Sequence, residues 1–103
     1  MTEAAGAATI NDDGNGRYRL GGTITMASVS RLRTLGLQAF ARGSGAVELD
    51  LSGVARADSS CLALLIDWLA WARAAGRTMK FLGLPASLLA LARLSDVEDL
   101  LAS

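Results

Sequence analysis

Two periods of apolar residues alternate along the chain. Arg17-Tyr18-Arg19-Leu20 alternates polar and apolar, the period of a half-buried strand. Gly21-Gly22 permits a bend, and Thr23-Ile24-Thr25 continues the extended segment. From Ala27 to Arg42 the period lengthens. Val29, Leu32, Leu35, Gly36, Ala39 and Phe40 share one side of a helix, which Gly43-Ser44-Gly45 ends. Val47 to Leu51 alternates again and is predicted as a strand, with Ser52 to Ala57 as a loop. A second helix is predicted from Ser59 to Ala75, stopping at Gly76. Thr78 to Leu82 reads as a strand closed by Gly83. Pro85 then suits the first turn of a helix carrying Leu88, Leu89, Leu91, Ala92 and Leu94. Val97 to Leu101 adds one or two further helical turns.

Strand–helix alternation predicts an α/β domain with largely parallel neighbours and right-handed crossovers. A sheet covered on both faces would read as continuous apolar runs. Here Arg17, Arg19, Glu48, Asp50, Thr78 and Lys80 take one parity. The expectation is a mainly parallel sheet of about four strands with helices on one face and a polar surface on the other. Residues 1–16 are expected to be a loose arm and turn, and residues 17–103 a single domain. Asn11, Asp13, Asn15 and Gly16 match the first half of a calcium loop. Its twelfth position would be Gly22 in place of Glu, and Arg17 and Arg19 fall inside it, so a plain turn is expected and no metal.

The 103 residues are half apolar (51%), with 19% charged, enough for one folded core. Ten basic residues balance ten acidic ones, and the nine arginines are scattered. Neither feature points to nucleic acid or to direct membrane insertion. The most apolar stretch, Cys61–Ala72, is too short to span a bilayer and contains Asp67. The absence of His removes Ser-His-Asp and Cys-His catalysis and His-ligated metals. With no secretion signal in view and a single Cys61, a cytoplasmic, non-enzymatic chain without a cofactor is expected.

Ala57-Asp58-Ser59-Ser60-Cys61-Leu62 is the most informative segment. Asp58 or Ser59 is placed to cap the second helix. Ser59 also presents a hydroxyl at the positive end of that helix. A phosphate there would add about −1.5 to −2 charges beside Asp58 and alter any surface the loop makes. Leu62, Leu65, Ile66 and Leu69 form one stripe. Leu64, Trp68 and Trp71 lie elsewhere, so the helix is apolar nearly all round. Either flanking helices cover the second set, or it forms a partner-binding patch. Asp58, Ser59, Ser60, Cys61, Leu64 and Trp68 are the candidate partner-binding residues, and Ser59 is the candidate phosphorylation site.

The run Leu49 to Leu65 resembles the STAS domain family, whose pattern is a strand, a small loop, and Asp-Ser/Thr-x-Gly-Leu opening the second helix. Asp58, Ser59 and Leu62 match it, and Cys61 stands where the family has Gly. The resemblance extends over roughly Tyr18 to Leu101 and implies a sheet with helices on one side. Two branches differ. In the anti-sigma-factor antagonists the matching Ser is phosphorylated by a partner kinase, and Gly-Glu-x-Asp follows the first strand. Here the corresponding stretch is Gly22-Thr23-Ile24-Thr25, without an acid. The MlaB-like branch, STAS subunits of a bacterial phospholipid ABC transporter, has Arg-x-Asp-Thr where this chain has Arg56-Ala57-Asp58-Ser59. Its pattern is also similar at Leu62 to Leu65 and at Leu91-Ala92-Arg93-Leu94. This branch implies an adaptor that binds the cytoplasmic ATPase subunit and, through it, the membrane permease, peripheral to the inner membrane. The other branch implies an anti-sigma kinase as partner.

Overall fold

The computed structural model describes residues 7–102. Four strands form one sheet in the order β1 (Thr9–Gly14), β2 (Arg17–Ile24), β3 (Val47–Ala57) and β4 (Met79–Leu82). The β1–β2 pair is antiparallel; β2–β3 and β3–β4 are parallel. Helix α1 (Met26–Ala41) joins β2 to β3, and α2 (Ser59–Ala74) joins β3 to β4. Helices α3 (Ala86–Leu94) and α4 (Glu98–Ala102) follow. The sheet is mainly parallel, as the alternating pattern predicts, and β1 makes it mixed.

Two segments depart from the sequence expectation. Residues 9–14, expected as part of a loose arm and turn, form edge strand β1; residues 1–6 of that arm lie outside the described residues. Asn15 (φ 55°) and Gly16 (φ 77°) make the hairpin turn, and this pair is suited to left-handed backbone. Ser52–Ala57, expected as a loop, continues β3. Its pairing with β2 persists through Gly21↔Gly53 to Ile24↔Ala57, with register shifts after Arg19 and after Gly22. The shifts break the simple alternation by which a strand is recognised, so the segment looked irregular.

One face of the sheet is the core. Tyr18, Leu20 and Ile24 of β2, Val47, Leu49 and Leu51 of β3, and Met79 and Phe81 of β4 are buried. The opposite parity stays accessible. Arg17, Glu48 and Lys80 lie in register across three strands, with Arg17 Nε 3.5 Å from Glu48 Oε1. Arg19 is in register with Asp50 but pairs instead with Asp13 of β1, at 2.7 Å. Such exposed pairs contribute at most about 1 kcal/mol each.

Both main helices begin at side-chain caps. The Ala27 N–H donates to Thr25 Oγ1 (3.3 Å) and the Thr25 N–H donates to Ser28 Oγ (3.1 Å), closing the first turn of α1. Pro85 precedes α3 at its N-cap, one position earlier than expected, and its carbonyl accepts from Leu88 and Leu89. The helices meet the sheet through three aromatic rings. Tyr18 of β2 packs edge-to-face on Phe40 of α1 (4.9 Å, 81°), and Phe40 packs likewise on Trp68 of α2 (5.3 Å, 82°). Trp68 is fully buried against Gly36, where a Cβ would collide with its ring. Replacing Gly36 with Ala removes a residue of low helix propensity but overpacks this contact, at a cost of about 1–3 kcal/mol. Gly36→Ala is therefore expected to lower the urea midpoint and perturb Trp68 fluorescence. An unchanged or raised midpoint would show that the two helices can separate freely.

Candidate functional site

The end of β3 delivers Asp58 to the start of α2. Its N–H donates to the Ile24 carbonyl (3.3 Å), tying this corner to the end of β2. Asp58 is the N-cap: its carboxylate accepts from the Ser60 N–H (2.9 Å) and from the Ser60 hydroxyl. Hydrogen bonding to Ser60 holds the Asp58 carboxyl below the usual carboxylate range, although it is exposed. Ser60 is half-buried and occupied by this contact. Ser59 is different. It is exposed, stands first in the helix, and its hydroxyl has no hydrogen-bond partner among the described residues. The cap orders Asp58 and Ser60 and leaves the Ser59 hydroxyl free.

Three of the expected partner-binding residues belong to the core. Cys61 is fully buried, Leu64 is 3% exposed and Trp68 is fully buried. Helices α1 and α3 cover parts of α2 that the sequence left open. Burial pushes the Cys61 thiol up to about 12, with Asp58 adding to the effect. This side chain fills core space and holds no thiolate. Trp71 is half-buried between Phe40 and Arg77. Leu88 is buried, whereas Leu94 is 85% exposed.

What the surface adds comes from α1. A groove of about 360 Å³ runs between α1 and α2 beside Ser60, lined by Met26, Val29, Arg33, Ala63 and Asp67 with Leu64 at its edge. Met26, the first residue of α1, is 77% exposed. Arg33 Nε meets Asp67 Oδ2 at 2.7 Å across the groove. The sequence reading did not single out Met26 or Arg33. One signal was visible: Asp67 is the acid inside the otherwise apolar Cys61–Ala72 stretch. Among the described residues no cluster of three His, Cys, Asp or Glu could hold a metal ion. No described helix is long and apolar enough to cross a membrane. The arrangement offers a surface of hydroxyl, carboxylate and thioether groups at a rigid helix end.

Comparison with known proteins bears on the fold. The sequence model of a family described as "Mlab, STAS domain" matches residues 8–102. A search of curated proteins finds no match. Among solved structures, the anti-sigma factor antagonist SpoIIAA in its unphosphorylated form is similar, with a TM-score of 0.71. That match has 16% identity and covers 90% of this chain and 84% of the other, a likeness of fold.

Two outcomes follow from the site chemistry. The depressed Asp58 carboxyl contributes stability that is present above its unfolded pKa and is lost as pH falls through its lower folded value. Asp58→Asn, which caps without a charge, should remove this part of the acid-side loss, seen as a shallower fall of melting temperature below about pH 4. Equal slopes would show that the cap carboxylate is not coupled to folding. The Cys61 thiol should resist alkylation in the native protein at about pH 8 and react on unfolding in urea. Rapid native labelling would contradict its burial.

Proposed function

The chain belongs to the family described as Mlab, STAS domain, and on that premise we propose that it is a non-enzymatic adaptor for an ABC transporter. Its partner would be the cytoplasmic ATPase subunit of a transporter that moves phospholipids between inner and outer membranes. The permease would be reached through that subunit, placing the chain peripherally at the inner membrane. The observation that carries the reading is the free, exposed Ser59 hydroxyl on a capped helix end, next in the chain to Ser60, which lines a groove with the exposed Met26. Two features support this branch of the family: Arg56-Ala57-Asp58-Ser59 resembles the transporter pattern, and Gly22-Thr23-Ile24-Thr25 lacks the acids of the antagonists.

The contact surface consists of Asp58, Ser59, Ser60, Met26 and the groove wall. Leu64, nearly buried, is part of that wall, and Cys61 and Trp68 stand behind it and keep it rigid. Preorganisation lowers the ordering cost of binding. By binding one arrangement of the ATPase better than another, the adaptor would shift that population and support its activity.

A second reading is favoured by the same hydroxyl. Ser59 is accessible to a kinase, and a phosphate there would stand beside the Asp58 carboxylate. In that case the chain would be an anti-sigma factor antagonist switched off by modification. The deciding experiment is purification of the tagged chain from detergent-solubilised native cells with its partner, followed by affinity measurement on variants. Recovery of an ABC ATPase with a permease supports the adaptor. Recovery of a soluble kinase that places stoichiometric phosphate on Ser59 supports the antagonist. Ser59→Glu is expected to weaken the ATPase complex by about tenfold or more through added charge, and Ser59→Ala by less. Unchanged affinity of Ser59→Glu would remove Ser59 from the contact.

A further inference from the structure

A second concave feature lies at the other end of α2. Ser59 opens the helix and Arg73 lies in its last turn. At about 1.5 Å per residue they are roughly 20 Å apart. There the end of α2, the start of β3 and the segment entering β4 enclose a cleft of about 510 Å³. Its lining includes Leu69, Arg73, Arg77, Thr78, Lys80 and Glu48. Three of these are cations and one is an acid. The acid is engaged, since Glu48 pairs with Arg17. Arg73, Arg77 and Lys80 form no ion pair among the described residues, whereas Arg17, Arg19, Arg33 and Arg93 each have one.

The three cations are held differently. Arg77 is fixed: Nε donates to the Gly45 carbonyl (2.8 Å) and Nη1 to the Phe40 carbonyl (2.6 Å). Its guanidinium lies 5.3 Å from the centre of the Trp71 ring. Among the described residues its Nη2 is buried without a hydrogen-bond partner, and no carboxylate pairs with the group. Arg73, on the helix side of the sheet, and Lys80, on its polar face, are both exposed and line the cleft from opposite sides of the β4 end, and the Thr78 hydroxyl adds a further donor. Leu69 and Met79 make part of the wall apolar, which strengthens the field inside the cleft.

We propose that this cleft binds a phosphate monoester, with Arg73 and Lys80 donating to the phosphate oxygens and Arg77 as a fixed positive charge behind them. A phosphate carries nearly two charges and three acceptor oxygens, matching two exposed cations and a hydroxyl. The apolar wall accommodates the organic part of the ester. The site is independent of the Ser59 surface.

The test is calorimetric titration of the whole chain with glycerol 3-phosphate. It is paired with co-sedimentation on vesicles of phosphatidylcholine with and without phosphatidic acid, at low salt and at about 150 mM. Arg73→Gln and Lys80→Gln are the variants. Both positions are exposed and leave the Arg77 contacts intact, and circular dichroism verifies their folding. Each variant is expected to weaken binding about tenfold. Saturable binding of the soluble ester, lost in the variants, assigns a free metabolite. Binding only to phosphatidic acid vesicles, lost in the variants, assigns a lipid headgroup. Failure of both probes to bind, or equal binding by folded variants, overturns the proposal.

Discussion

Trp68 enters the seam between α1 and α2 at the one place where α1 has no side chain, Gly36. Its indole N–H lies 3.4 Å from the Arg33 carbonyl, so even its polar atom has a partner inside the seam. From this ring the edge-to-face sequence runs through Phe40 to Tyr18 and reaches the sheet. The Tyr18 hydroxyl in turn donates to the Ala39 carbonyl at 3.2 Å. One row of rings therefore sets the distance between two helices and their height above β2. Because interiors are close-packed, a methyl group at Gly36 would disturb all three elements.

That spacing has a consequence at the surface. The two helices start where β2 and β3 finish. Met26 of α1 and Ser60 of α2, the residue held by the Asp58 cap, line one groove, and Ser59 is the next residue along the chain. The cap consumes the hydrogen-bonding capacity of Ser60 and leaves that of Ser59 available. A partner would meet a surface whose geometry is decided by the core, at little cost in ordering. At the far end of α2 the same rigid helix carries Arg73 beside Arg77, which is anchored to the end of α1. The two ends differ in chemistry: hydroxyl and carboxylate at one, unpaired cations at the other.

Much of this was legible in the sequence. The shared parity of Arg17, Arg19, Glu48, Asp50 and Lys80 shows that one sheet face is polar, because side chains alternate strictly along a strand. The glycines after α1 and α2, and the Asp58–Ser60 cap, mark helix ends through local backbone chemistry that needs no tertiary partner. Edge strand β1 escaped because Thr9–Gly14 carries one large apolar residue, Ile10, and so has almost no periodic signal. The extension of β3 through Ser52–Ala57 escaped because register shifts at Gly21-Gly22 disrupt the alternation.

From the sequence come the order of elements after β1, the mainly parallel sheet with one polar face, and the position of Ser59 at a helix start. These follow from periods and caps, which act within a few residues. Tertiary structure alone decided which side of α2 is surface. Cys61, Leu64 and Trp68 could have been interface or core on composition alone, since α2 is apolar nearly all round. Only the approach of α1, permitted by Gly36, and the cover of α3 buried them. The same packing placed Met26 and Arg33 along one groove with Ser60, and Arg77 against the Phe40 carbonyl. Those neighbours are separated in sequence, and no local pattern encodes a distance between two helices.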